Sequence, residues 1–196
     1  MRAFLAIAMP EHVAADLAAL TAHLRAGRAV APEDLHLTLA FLGDVSLAQL
    51  DALHLGLQML HVAPFPVRLA GLDLPDPNAP RSVYIRADGG APLADLHARV
   101  QRAVRGAGID LARSRFRPHV TLARFGRHPG PQAMSLLGGG GRARGCGAGA
   151  FHRGRVCALS LDFASAWGGL RNFGNLPGAP CSRVKLGLAW QHERDH

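Results

Sequence analysis

An imidazole and a hydroxyl two residues apart occur twice in this chain in the same setting, HLTLAFLG at residues 36–43 and HVTLARFG at residues 119–126. Successive side chains of an extended strand point to opposite faces. His36 and Thr38 therefore share one face and Leu37 and Leu39 the other, and His119 and Thr121 repeat the arrangement. Two such strands would form the walls of a polar cleft. Histidine titrates near neutral pH, so one ring can hold a proton while the other lacks it, which supplies a general acid and a general base without a metal. The hydroxyls of Thr38 and Thr121 can donate to the non-bridging oxygens of a phosphate. These parts suit in-line displacement at phosphorus, one imidazole activating water and the other protonating the leaving oxygen. Arg124 is close enough in sequence to fork onto the developing charge. Its odd offset from His119 points it to the opposite face of a regular strand, so the strand must end or bulge before Gly126 for Arg124 to reach the cleft. Phe41 carries the same condition, with a place in the core as its alternative. The other nine histidines lack the echo and read as ordinary core or surface residues. A metal centre is disfavoured, because two histidines with no adjacent carboxylate or cysteine cluster leave a zinc tetrahedron short of ligands.

The elements that must position these strands repeat as well. Residues 2–9 read as a strand, Pro10 suits the first turn of a helix, and Val13, Leu17, Leu20 and Leu24 form its apolar stripe, closing near Gly27. A turn over residues 31–34 leads into the first motif strand, which Gly43 and Asp44 stop. Ser46 and Gln49 form a possible capping box ahead of a helix with Leu47, Leu50, Leu53, Leu57 and Leu60 on one side. Residues 67–74 and 82–87 read as strands separated by a proline-rich loop. The opening pattern then returns, with Pro92, Leu93, Leu96, Val100 and Val104 on a helix before the second motif strand. Pro10 precedes His36 by 26 residues and Pro92 precedes His119 by 27. A repeated strand-helix-strand unit predicts two related lobes, each placing its motif at the same structural point. Residues 138–154 are rich in Gly and Arg and read as a flexible connection. Residues 156–164 and 183–190 read as later strands.

Composition sets the outer bounds. A chain of 196 residues with 48% apolar content can fill a core. The net charge of +8 is unevenly placed, about −4 over residues 1–98 and about +12 over residues 99–196. Arginine supplies nearly all of it, Lys185 being the only lysine, which suits planar recognition of phosphate and also suits GC-rich coding. The basic half points to an anionic ligand, RNA before a membrane, since no long basic amphipathic helix is present. Cys146, Cys157 and Cys181 form no paired spacing, so neither a disulfide framework nor a thiolate zinc site is indicated and a cytoplasmic setting is expected. The opening apolar run is too short for a spanning helix and reads as a buried strand.

The two His-x-Thr motifs, with Phe-Arg-Pro leading into the second at residues 116–118, resemble the two-histidine (2H) phosphoesterase superfamily, and within it the bacterial and archaeal RNA 2′,3′-cyclic phosphodiesterases, historically called 2′-5′ RNA ligases. The likeness holds in order and spacing through residue 127 and is poor over 128–196. It implies a single bilobal α+β domain over residues 1–196, with a pseudo-two-fold arrangement of antiparallel sheets, helices outside and a central groove. It further implies hydrolysis of a 2′,3′-cyclic phosphate RNA end, or of a cyclic nucleotide, to a 2′-phosphate, with no cofactor. His36 would protonate the departing 3′-oxygen and His119 would activate water. Thr38, Thr121 and Arg124 would hold the phosphate and Phe41 would contact the terminal base. A cyclic phosphate requires both ribose hydroxyls, which excludes DNA. Reversible 2′-5′ joining of RNA and non-catalytic binding of an RNA end are the alternatives, and a monomer is the expected state.

Overall fold

The computed structural model describes residues 2–24, 27–75, 80–112 and 114–126, together with the backbone of two later strands. The residues 138–154 read as a connection, and the remainder of the tail, lie outside the described residues. The elements in order are β1 (Arg2–Ala8), α1 (Glu11–Leu24), β2 (Arg28–Ala29), a 3-10 turn (Pro32–Asp34), β3 (His36–Asp44), α2 (Leu47–Gln58), β4 (Phe65–Asp73), β5 (Ser82–Asp88), α3 (Gly90–Gly106), β6 (His119–Arg124), β7 (Arg155–Leu159) and β8 (Val184–Leu188). The class is α+β, with every strand pairing antiparallel.

Local chemistry accounts for most of these boundaries. Pro10 stands just before α1, and its carbonyl accepts the Ala14 N–H at 2.8 Å, closing the first turn. The reciprocal capping box of Ser46 and Gln49 forms as the sequence predicts. Leu50, Leu53 and Leu57 of α2 are buried, whereas Leu47, at the first helical position, is 62% exposed and is not part of the stripe. Helix α3 buries Leu93, Leu96, Val100 and Val104. Strand β3 runs through Gly43 and Asp44, two residues past the expected stop, because Gly43 takes a left-handed φ of 67° while still pairing with Ala3.

The strands form one sheet in the order β7-β4-β5-β6-β3-β1-β8, with β2 added beside β6. The two predicted lobes are its two halves. In one, β1 pairs with the motif strand β3, and in the other, β5 pairs with the motif strand β6. The halves meet at Leu37↔Val120, the residues between the histidine and threonine of each motif. Both are fully buried, and their side chains join one continuous core with Leu17 of α1, Leu53 of α2 and Leu96 of α3. Helices therefore cover the face carrying Leu37 and Val120, and the opposite face is left to the motif residues.

Candidate active site

Antiparallel pairing at Leu37↔Val120 places His36 across from Thr121 and Thr38 across from His119. All four side chains are half-buried, and each strand buries the residue in between. Directly opposed residues share a face, so the sequence expectation of two facing His-Thr pairs is met by a quartet around a local two-fold axis. The histidines lie on its diagonal, where cross-strand neighbours stand roughly 7–8 Å apart with their Cβ atoms somewhat closer. A single phosphoryl group hydrogen-bonded from both sides spans such a gap.

The two imidazoles are held alike. Nδ1 of His36 donates to the carbonyl of Asp34 at 2.5 Å, and Nδ1 of His119 donates to the carbonyl of Arg117 at 2.7 Å, in each case two residues upstream. A carbonyl only accepts, so Nδ1 carries the proton and exchange with a ligand falls to Nε2. Each ring also rests on an aromatic from the neighbouring strand. Phe4 stacks on His36 at 4.8 Å between centroids, and Tyr84 lies against His119 at 4.6 Å. Burial raises the Tyr84 hydroxyl above its ordinary range, with the Asp73 carboxylate adding to the effect and Arg117 and Arg86 opposing it, so the hydroxyl stays protonated at neutral pH.

The parity condition on Arg124 and Phe41 is resolved by a bulge in each motif strand. On β6 the register steps from Thr121↔Tyr84 to Ala123↔Val83, passing over Leu122. On β3 it steps from Thr38↔Ala6 to Ala40↔Leu5, passing over Leu39. The two residues at each bulge, Leu39 with Ala40 and Leu122 with Ala123, are all buried. Alternation resumes one residue late. Arg124 pairs with Ser82, which shares the strand face of Tyr84, and so projects on the side of His119 and Thr121. Phe41 pairs with Phe4 and is 73% exposed, their rings 6.4 Å apart, so the core alternative does not hold. The backbone beneath Arg124 is gripped from both sides. β2 pairs Arg28 with Arg124, and the Phe125 N–H donates to the carbonyl of Arg81 at 2.8 Å. Gly27, at φ 71°, passes so close that a Cβ there would stand 2.6 Å from the Arg124 carbonyl oxygen.

Superposing the halves by register sets Phe4 against Ser82, Ala6 against Tyr84, Ala8 against Arg86, and Phe41 against Arg124. One flank of the quartet is apolar and aromatic, the other polar and cationic. Phe4, Tyr84 and Arg86 are not marked by the motif spacing, because β1 and β5 lie at unequal distances from their motif strands and only cross-strand register brings these residues beside the histidines. Among the described residues, no three or more His, Cys, Asp or Glu gather as a metal site would require, and no helix is long and apolar enough to cross a membrane.

Comparison with known proteins places the chain in a family. An RNA 2′,3′-cyclic phosphodiesterase of Thermus thermophilus is 38% identical over 153 residues, covering 71% of this chain and 75% of the relative. One of Aeropyrum pernix is 34% identical over 113 residues, covering 56% and 64%. Among solved structures, a protein of Thermus thermophilus matches with a TM-score of 0.56 at 32% identity, over 67% of this chain and 77% of its own. E. coli LigT complexed with 3′-AMP matches with a TM-score of 0.56 at 28% identity, over 67% and 80%. The model of the 2′-5′ RNA ligase superfamily spans residues 9–139, both motifs included, and the chain belongs to that superfamily.

Proposed function

We propose that this protein hydrolyses the 2′,3′-cyclic phosphate at an RNA end to a 2′-phosphate by acid-base catalysis between His36 and His119. The observation that supports the reading is the Leu37↔Val120 pairing, which brings two similarly tethered imidazoles to diagonal positions on one sheet face. The similarity to phosphodiesterases from Thermus thermophilus and Aeropyrum pernix supports the same chemistry.

The ring of His119, with Nδ1 held as donor, takes a proton from water through Nε2 as the water oxygen bonds to phosphorus. The bond from phosphorus to O3′ breaks, and the protonated His36 delivers its Nε2 proton to that oxygen. Thr38 and Thr121 donate to the non-bridging oxygens, and Arg124 neutralises the charge that accumulates on them. Phe41 contacts the terminal base. Tyr84 and Phe4 keep the two rings upright. Because one chain contributes both motifs, a monomer suffices, and a cytoplasmic setting suits a substrate made of RNA.

The experiment is hydrolysis of an oligoribonucleotide ending in a 2′,3′-cyclic phosphate, with the position of the product phosphate read by phosphorus resonance. His36→Ala and His119→Ala are each expected to lower turnover roughly 10²- to 10⁴-fold, and activity is expected to survive chelation. Turnover unchanged in either variant removes the assigned roles. The superfamily's name motivates a second reading, in which a 5′-hydroxyl replaces water and the product is a 2′-5′ linkage. Product analysis with a 5′-hydroxyl RNA present distinguishes the two.

A further inference from the structure

Arg86 is not needed for the chemistry above, yet it stands on the groove face beside it. Its register partner is His119, and its strand neighbours Ile85 and Ala87 point into the core. Its guanidinium reaches away from the reacting centre. Nη2, Nε and Cζ lie 2.6, 3.2 and 3.3 Å from where a Cβ on Gly71 would be. Gly71 belongs to an irregularity of β4 between Leu69↔Ala87 and Leu72↔Ile85, and its φ of 77° suits a residue without a side chain. The chain thus leaves a bare backbone ledge across which this arginine lies. With adjacent strands about 4.8 Å apart, the guanidinium over β4 sits about 10 Å outward from β6. That is too far to touch the reacting phosphoryl group and suited to a phosphate further along a bound strand.

A second cation lies nearby. Arg117 is exposed two residues before His119, and its charge, like that of Arg86, opposes the rise in the Tyr84 pKa. Arg68, further along β4, faces Asp88 at 4.0 Å. The carboxylate of Asp73, opposite Tyr84, accepts the Leu74 N–H at 2.9 Å. The equivalent positions on the other half are Ala8, Ala6 and Phe4, which offer nothing to an anion.

We propose that Arg86, laid across Gly71 and assisted by Arg117, is a subsite for the phosphodiester upstream of the reacting nucleotide, so that the groove selects RNA ends over free cyclic mononucleotides and draws the strand across β5 and β4. The inference rests on the reading of the groove as a cyclic-phosphate site.

The test compares kcat/KM on an oligoribonucleotide ending in a 2′,3′-cyclic phosphate with that on 2′,3′-cyclic AMP, for the wild type, Arg86→Ala and Arg86→Lys. Arg86→Ala is expected to lower the oligomer-to-mononucleotide ratio roughly ten-fold, with Arg86→Lys between, as suits loss of one charged contact. The slope of log KM for the oligomer against log salt is expected to fall by about 0.7, the share of one phosphate on a single strand. Calorimetric titration with the non-reacting products, an oligomer ending in a 2′-phosphate and 2′-AMP, supplies an arm independent of turnover. A ratio that Arg86→Ala leaves unchanged in both arms overturns the inference. Absence of turnover on either substrate, with an Arg86-dependent preference for the oligomer in titration, overturns the hydrolase reading and leaves the subsite in place. Because Arg86 is exposed, its replacement is expected to leave the unfolding midpoint in place, which the same samples check.

Discussion

Arg124 and Ala123 are neighbours in sequence, and the bulge at Leu122 exchanges what each would do in a regular strand. Without it, Ala123 would share the groove face with Thr121 and Arg124 would point into the core. With it, Ala123 is fully buried and Arg124 is exposed beside Thr121. Arg124→Ala is therefore expected to remove a charged contact to the phosphoryl oxygens and lower kcat/KM by roughly 10²- to 10³-fold, about 2.7–4 kcal/mol of transition-state stabilisation. Since the side chain is exposed, the same change should move folding stability by no more than about 0.5 kcal/mol. Ala123→Leu should do the reverse. It forces extra carbon atoms into a filled space among Val83, Leu122 and their neighbours, at a cost of about 1–3 kcal/mol in denaturant unfolding. Turnover by the fraction still folded should stay near the wild-type value. The assay pairs urea unfolding with initial rates on a cyclic-phosphate oligomer below the unfolding transition. If Arg124→Ala destabilises and spares turnover, while Ala123→Leu abolishes turnover without destabilising, the bulge does not set these faces and the account of how Arg124 reaches the groove is wrong.

Two further outcomes concern the frame. His97 stacks on Phe116 at 3.8 Å, and burial, with Arg105 adding to it, lowers its affinity for a proton below that of a free imidazole. The unfolded chain then binds the proton more readily, so this residue's contribution is present above pH about 6.5 and is lost as pH falls toward the depressed native value. The difference in unfolding midpoint between wild type and His97→Phe should shift against the wild type as pH drops through that window; a pH-independent difference would contradict the assignment. Gln49 completes the capping box of α2 and also donates from Nε2 to the carbonyl of Gly108 at 2.7 Å. Gln49→Ala should cost about 1–2 kcal/mol, more than the ~1 kcal/mol expected of Ser46→Ala, and equal losses in chemical unfolding would show the tie to Gly108 to be inert.

The motif quartet was legible because its logic is local: a two-residue period and an echo 83 residues apart are visible before any fold is known. The helices were legible for a similar reason, their stripes and the Ser46-Gln49 box lying within a few turns of chain. The bulges were not. Leu39-Ala40 and Leu122-Ala123 contain neither Gly nor Pro, and an apolar pair continues an apolar run without announcing a change of face. Leu47 misled by spacing alone, since a leucine at the first helical position keeps the period but sits ahead of the packed turn. Phe4, Tyr84 and Arg86 acquire meaning through cross-strand register, which depends on partners far away in the chain. The same holds for β2, two residues long and defined by its pairing with β6.

The axis through Leu37 and Val120 also bears on direction. A proton donor and a proton acceptor related by rotation are interchangeable in themselves, so a substrate entering the groove reversed would find the same equipment with the duties traded. Nothing in the central quartet favours one heading over the other. Polarity is imposed from outside it, by Phe4 and Phe41 on one flank and Arg86 and Arg124 on the other. Exchanging those four flanking side chains, with both imidazoles untouched, is the route by which this scaffold could be turned to act on a ligand of opposite orientation.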